Sequence, residues 1–177
     1  MIAMENILFN SALVAQLIGF VALLFALSVF QANKRGNMIK LHIVAATLYA
    51  IHFFMLGAFT GSIMNLLGGT RNFLFYKIKQ RTWLLPGVFM LAYVIACMLT
   101  WEGLVSLLPM FGMIAGTLAF WQQEAKMVRY FALISFPLWF AYSYIVGSYP
   151  GMITEVILFT SNLIGMYRFD RHKIITK

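Results

Sequence analysis

Long apolar runs, separated by short connections, dominate the chain. Each run is about 17 to 19 residues long, which is close to the length that an α-helix needs to cross a bilayer. Hydrophobic residues make up 62% of the 177 residues and charged residues only 10%, too few to cover a soluble domain. The sequence therefore predicts an all-α integral membrane protein with seven transmembrane helices at residues 12–30, 41–57, 60–77, 83–101, 103–121, 130–147 and 150–167.

The basic residues alternate along this pattern. If the N-terminus is outside, the four inside segments 31–40, 71–82, 122–129 and 168–177 hold all 13 Lys and Arg residues. The outside segments carry only Glu5 and Glu102. Because cytoplasmic segments are enriched in Lys and Arg, we predict an outside N-terminus and a cytoplasmic C-terminus. The formal charge of +8 then reflects membrane flanks, so we predict the lipid bilayer as a partner and no nucleic acid.

One unit of the sequence is used twice, at an offset of ninety residues. Gly57 aligns with Gly147, and Asn72 with Asn162. The repeat spans an odd number of helices, so both copies enter the membrane from the same side. We predict two parallel three-helix repeats joined by a linker helix, with domains at 1–82, 83–101 and 102–177, the last ending in a short basic cytoplasmic tail.

Polar residues inside the apolar runs are the candidate site. Glu155 and Asn162 lie seven residues apart, which is two helical turns, so both leave one helix face. A carboxyl that faces lipid costs several kcal/mol, which favours a functional role for Glu155, although a structural hydrogen bond is the alternative. Asn72 and Asn162 either line a cavity or join helices, as Asn often does in membranes.

Further candidates carry open alternatives. His52 either pairs with Glu155 or bonds to another helix, and Arg71 either extends toward the membrane surface or binds an anion in the cavity. Tyr49 and Trp139 align in the repeat and either stack on a substrate or pack; His42 and His172 are not expected to be functional. The predicted proton- or cation-coupling residues are Glu155 and His52, and the predicted substrate-binding residues are Asn72, Asn162, Glu155, Asn65, Trp139 and Tyr49.

Several classes of function are not indicated. Cys97 is the one cysteine and lies inside an apolar run, so disulfide, metal-cluster and dithiol chemistry have no basis. The sequence shows no nucleophile–base pair, nucleotide-binding loop or metal-ligand spacing, and no lysine inside the last helix. We therefore expect no enzyme activity, no cofactor and no metal.

Three stretches carry a family resemblance. The run HFFMLGAFTG at 52–61, the run LLPMFGMIAGTLAFW at 107–121, and Glu155, Asn162 and Arg168-Phe169 resemble the bacterial inner-membrane YgjV family over most of the chain. This resemblance implies a multi-pass protein of the bacterial inner (plasma) membrane.

The plan of three, one and three helices resembles, more distantly, the SWEET and PQ-loop (MtN3-like) transporters. In those proteins an Asn pair on the third and seventh helices faces a central cavity, and Asn72 and Asn162 are the matching positions. Some relatives use an acid on the last helix for proton coupling, which would correspond to Glu155. The Pro-Gln pair itself is absent, so the resemblance does not imply proline hinges in the first two helices.

Two functions follow as hypotheses. The first is a small-solute carrier or facilitator with one site between the two repeats. The alternative is a non-transporting membrane binding or scaffold protein that retains the SWEET-like fold; a lipid-handling enzyme is a more distant third. A carrier requires a polar cavity near the midplane lined by Asn72, Asn162 and Glu155. A scaffold predicts that these side chains bond to one another and close the space.

Overall fold

Seven α-helices make up nearly all of the computed structural model, which describes residues 2–32, 34–78 and 82–170. No strand occurs among these residues. Short 3₁₀ turns follow α1 (Val29–Gln31) and precede α5 (Leu104–Ser106). The helices are α1 (Ile2–Ser28), α2 (Arg35–Met55), α3 (Phe59–Lys77), α4 (Leu84–Leu99), α5 (Leu107–Trp121), α6 (Ala125–Ile145) and α7 (Tyr149–Phe169).

The predicted helix number is confirmed, and most helix bounds lie within a few residues of the prediction. The largest difference is at the start of α1, which begins at Ile2 instead of residue 12. No Pro or Gly occurs before Gly19, so nothing in the local sequence interrupts the helix. Hydropathy marks only the apolar part of a helix, and the polar Asn10 and Ser11 concealed this extension.

The helices are arranged as two groups of three. Within the first group α2 packs between α1 and α3, and within the second α6 packs between α5 and α7. The two groups meet where α1 contacts α7 and where α3 contacts α5. Helix α4 packs against α3 and α5, so it connects the groups at one side of this interface.

The ninety-residue offset appears in the local structure. Helices α2 and α6 each have 21 residues and begin ninety positions apart, at Arg35 and Ala125. Each is followed by a glycine with positive φ, 75° at Gly57 and 72° at Gly147. The next amide, at Ala58 or Ser148, returns to a carbonyl five residues back, at 2.9 and 2.8 Å. This is a Schellman turn, whose left-handed position favours Gly, and the chain uses it twice.

The outer surface of the bundle is apolar, and much of the interior is polar or small. Large side chains such as Leu91 and Leu99 are 61% and 79% exposed, whereas His52, Thr60 and Ser148 are fully buried. This distribution suits a lipid solvent, in which polar groups must find partners inside the protein. By length and composition, three described helical stretches can cross a membrane: Asn10–Ser28, Gly36–Met55 and Leu104–Trp121.

The linker helix α4 has more contacts than a tether facing lipid on all sides would have. Its buried residues Phe89, Tyr93 and Cys97 recur every four positions and pack against Met64 on α3 and methionines of α5. The opposite face is exposed, as are Trp83 and Trp101 at the two ends.

Candidate functional site

The two ends of the bundle differ in charge and packing. The basic end contains the C-termini of α1, α3, α5 and α7, with the exposed residues Lys34, Lys40, Lys77, Lys126 and Arg168. The opposite end contains the turns at Gly57 and Gly147. A cluster of buried, hydrogen-bonded residues lies at the opposite end, and a cavity lies near the basic end.

His52 is the centre of the packing at the opposite end. Its Nδ1 lies 2.6 Å from the carbonyl oxygen of Ala15, and its Nε2 lies 2.7 Å from Ser148 Oγ. A carbonyl only accepts, so Nδ1 carries the proton and Nε2 accepts from the serine hydroxyl in the neutral ring. Ser148 Oγ also accepts from Gly151 N, which caps the start of α7. One imidazole thus joins α1, α2 and the start of α7, and both of its ring nitrogens have a hydrogen-bond partner.

Tyr142 occupies the equivalent position of the second group, ninety residues after His52. Its hydroxyl oxygen accepts a hydrogen bond of 2.8 Å from the backbone N–H of Gly61 in α3. The Phe53 ring lies between the two, 5.1 Å from the His52 centroid and 5.6 Å from that of Tyr142. Each middle helix therefore sends a buried polar ring to the third helix of the other group.

Glycines make this contact possible. A Cβ added at Gly61 would meet the Tyr142 ring at 2.4 Å, and one at Gly19 would meet Pro150 at 2.4 Å and His52 at 2.7 Å. All three distances are far below van der Waals contact, so any side chain at these positions would force the rings or the helices apart. We call the set His52, Tyr142, Ser148, Gly19 and Gly61 the histidine–tyrosine cluster.

A cavity of about 440 Å³ lies near the basic end, between the first helix group and α5. Its described wall contains His42 on α2 and Asn72 on the facing helix α3, and it contains no acid. Aromatic and aliphatic side chains form the remainder of the wall. They are Val29, Met38, Ile39, Phe75, Tyr76, Ile78, Phe120 and Trp121.

Arg71 lies directly behind this wall and is only 4% exposed. Its Nε and Nη2 both donate to Asn72 Oδ1, at 3.0 and 2.9 Å, and its Nη1 donates to Thr117 Oγ1 at 2.8 Å. The guanidinium carbon is 4.9 Å from the centroid of Phe120, another wall residue. Arg71 therefore does not extend to the membrane surface, which was one of its two predicted positions.

The predicted asparagines do not meet in one cavity. Asn72 lines the cavity, with its Nδ2 3.1 Å from His42 Nε2. Asn162 instead donates to the backbone oxygen of Arg129 at 3.0 Å and joins α7 to α6. Asn65 donates to Gly61 O, one turn earlier in its own helix. Only one of the three contributes to the wall of the 440 Å³ cavity.

The other predicted residues lie nearer the opposite end. Glu155 is half-buried on α7 and forms no hydrogen bond within the described part of the chain. Both ring nitrogens of His52 are engaged elsewhere, so a His52–Glu155 pair is not formed. Tyr49 bonds to Thr154 Oγ1 through its hydroxyl, and the Trp139 ring packs 6.0 Å from Phe53 and 5.9 Å from Tyr142.

His42 lines the cavity although the sequence predicted no function for it, because its position near a membrane boundary suggested none. A signal was nevertheless available. His42 precedes Tyr49 by seven residues, which places both on the same face of α2. That face also carries the buried Ala46 and Phe53, so it points into the bundle.

These observations define a class of protein. An all-helical chain with membrane-length apolar helices, an apolar outer surface and a partly polar interior is an integral membrane protein with several helices in the bilayer. Residues 13–173 match the family Imp-YgjV, described as a bacterial inner membrane protein, and the chain belongs to that family. No curated protein and no solved structure is significantly similar to the chain.

Proposed function

We propose that this protein is a small-solute carrier or facilitator of the bacterial inner membrane. One observation supports it above all others: a cavity of about 440 Å³ with polar wall residues reaches between the helix groups from the basic end. The histidine–tyrosine cluster closes the bundle at the opposite end. A cavity open on one side and packed on the other is the arrangement that an alternating-access carrier requires.

The proposed architecture is two parallel three-helix repeats, residues 1–82 and 102–177, joined by α4 in a SWEET-like plan. This architecture is supported by two contacts in which the middle helix of each group reaches the third helix of the other group. His52 of α2 reaches the start of α7, and Tyr142 of α6 reaches the start of α3. The proposed two-fold rotation about the membrane normal would relate α2 to α6 and α7 to α3, and in this way the two contacts to each other. With all seven helices crossing the bilayer, the N-terminus is outside and the basic end is cytoplasmic.

In this mechanism the protein binds and moves a solute without changing it chemically. In the proposed orientation the histidine–tyrosine cluster lies at the outer end of the bundle and the cavity lies at the cytoplasmic end. Transport requires the histidine–tyrosine cluster to separate while the helices around the cavity close. The cluster is suited to such a change because its contacts between the groups are a few hydrogen bonds and ring contacts, which can break and reform together.

Accessibility of Asn72 tests the proposal directly. Cys97 is the one cysteine and is only 2% exposed, so in a Cys97→Ala background the introduced cysteine is the one thiol that can react. We expect Asn72→Cys to react with a membrane-impermeant thiol reagent added at the cytoplasmic face, and to react much less from outside. The reason is that the cavity opens toward the basic end while the cluster blocks the other entrance. Labelling in inside-out and right-side-out vesicles measures both rates.

Two further variants give this test its controls. Lys34→Cys is exposed at the basic end and should react from the same face as Asn72→Cys. Val156→Cys lies on the lipid-facing surface of α7, 52% exposed in the isolated chain, and should not react from either face. If Asn72→Cys reacts as slowly as Val156→Cys from both faces, no water-filled cavity exists in the membrane, and the carrier proposal fails.

Glu155 is the proposed proton-coupling residue. Its half-buried carboxyl has no hydrogen-bond partner within the described part of the chain, and it follows Thr154, which binds Tyr49. We expect uptake of a transported solute into proteoliposomes to depend on external pH in the wild type. Glu155→Gln keeps the shape of the side chain but cannot exchange a proton, so it should fold and lose this dependence. The same pH profile in both proteins would restrict Glu155 to a structural role.

A specific observation also favours the scaffold alternative. Asn162 and Asn65, both predicted to bind substrate, use their amide groups for backbone contacts, Asn162 between α7 and α6 and Asn65 within α3. A non-transporting membrane protein would retain such contacts and need no second conformation. In that case Asn72→Cys would be labelled at the cytoplasmic face only, under every condition, and a screen of solutes in proteoliposomes would show no uptake.

A further inference from the structure

Arg71 carries a buried charge that no acid in the described part of the chain neutralises. Its hydrogen-bond acceptors Asn72 and Thr117 are both neutral, and the third group beside it is the phenol of Tyr93, which is not a carboxylate. The chain contains only five acids. Glu102 accepts from the amides of Phe59 and Thr60 at the opposite end, and Asp170 pairs with Arg129 at 3.6 Å.

The remaining acids do not reach Arg71 either. Glu124 is exposed in the connection before α6, and Glu155 lies on α7, which does not contribute to this wall. Glu5 is on the segment of α1 that extends past the opposite end, and its side chain lies outside the described residues. A buried cation without a countercharge is costly, because it has lost its hydration and gained no opposite charge.

The geometry around Arg71 points to the adjacent cavity as the place for the missing negative charge. Two residues in contact with the guanidinium, Asn72 and Phe120, are themselves cavity wall. Because Asn72 Oδ1 faces Arg71, its Nδ2 group faces the cavity side. An amide nitrogen carries two hydrogens, so one can contact His42 while the other donates to a ligand.

We propose that the cavity binds a small organic anion, with its oxyanion head at Asn72 and His42 and with the charge of Arg71 behind them. Most of the remaining wall is aromatic or aliphatic and includes the rings of Phe75 and Phe120, which suits an apolar or aromatic body on the ligand. The exposed Lys34, Lys40 and Lys77 at the basic end raise the local concentration of anions. This inference rests on the proposed carrier function and specifies its substrate class.

A matched pair of ligands tests the charge requirement. Phenylacetate and phenylacetamide have nearly the same shape and differ by one negative charge. We expect phenylacetate, and not phenylacetamide, to raise the thermal stability of the full chain saturably in nanodiscs made of phosphatidylcholine alone. Arg71→Met keeps an apolar side chain of similar length and should weaken phenylacetate binding by about tenfold or more, as expected for loss of a charge-assisted interaction.

The control variants separate a binding role from a structural role. Arg168→Met removes a basic residue that is exposed at the same end and should bind phenylacetate like the wild type. Arg71→Lys keeps the charge and should retain more affinity than Arg71→Met. If Arg71 is purely structural, Arg71→Met will lower stability without ligand and the wild type will not respond to phenylacetate, which overturns the proposal. Equal responses to phenylacetate and phenylacetamide would overturn it as well.

A second experiment, with an anionic lipid in the nanodisc, identifies the source of the anion. If phosphatidylglycerol in the nanodisc stabilises the wild type but not Arg71→Met, while phenylacetate has no effect, the anion site stands and its ligand is a lipid headgroup. Binding also distinguishes this inference from the carrier proposal. Saturable phenylacetate binding without uptake into proteoliposomes supports the site and contradicts transport. Uptake of neutral solutes without any anion response contradicts the site and leaves transport intact.

Discussion

Replacing Gly61 with alanine is expected to be among the most damaging single-methyl additions in this protein. The new Cβ would lie 2.4 Å from the Tyr142 ring, and relieving that overlap moves the ring away from the amide that it accepts from. Overpacking and loss of this hydrogen bond together should cost about 2–4 kcal/mol of folding free energy. The fraction of monodisperse protein remaining after heating, followed by fluorescence-detected size exclusion in detergent, measures the loss.

The chain contains a matched control. Gly87 in α4 is exposed, and a Cβ there would meet no atom within 4 Å, so Gly87→Ala should be neutral or stabilise by up to about 1 kcal/mol. In a Tyr142→Ala background, Gly61→Ala should cost much less, because the obstructing ring is gone. If Gly61→Ala is as harmless as Gly87→Ala, the close packing of α3 against α6 is wrong.

His52→Ala is expected to weaken the closed end in both stability and accessibility. The substitution removes a fully buried ring and strands its partners, Ala15 O and Ser148 Oγ. Together the void and the lost hydrogen bonds should cost about 2–4 kcal/mol. Because α2 then loses its hydrogen bond to the start of α7 and keeps the one from Tyr49 to Thr154, Asn72→Cys should also become more reactive toward thiol reagent added from outside.

The second histidine of the bundle is the control for this variant. His42 is only half-buried and makes a longer contact, 3.1 Å, with Asn72 at the cavity wall. His42→Ala should therefore cost under about 1 kcal/mol and leave outside labelling unchanged. A His52→Ala protein that is less stable but keeps Asn72→Cys protected from outside would show that His52 packs the interior without closing an entrance.

Much of the fold was predictable because the bilayer imposes simple requirements on sequence. Apolar length gave the number of helices, and the repeated glycines at Gly57 and Gly147 marked the two equivalent turns. The register at ninety residues also aligned His52 with Tyr142, although their chemical difference concealed their related contacts. The contacts of α4 were not predictable, since a uniformly apolar run does not show which face is buried.

The site was harder to predict, because helical spacing assigns residues to a face without identifying the neighbour of that face. Glu155 and Asn162 share a face of α7 as expected, yet Asn162 bonds to Arg129 O and neither residue lines the cavity. Asn72 lines the cavity at the basic end without Asn162 and Glu155, and its role in substrate binding stays a prediction. That its partners are Arg71 and His42 depends on how α2, α3 and α5 meet.

The long sequence separations in the histidine–tyrosine cluster have a consequence for how the protein is made. Ser148 follows His52 by 96 residues, and Tyr142 follows Gly61 by 81. The first three helices are therefore synthesised and inserted before their polar partners exist. Until α7 leaves the ribosome, His52 has no serine to bond, and the early helices remain incompletely satisfied in lipid. The hydrogen bonds of the histidine–tyrosine cluster thus require insertion of the last two helices, and truncated products should be substrates for membrane proteases.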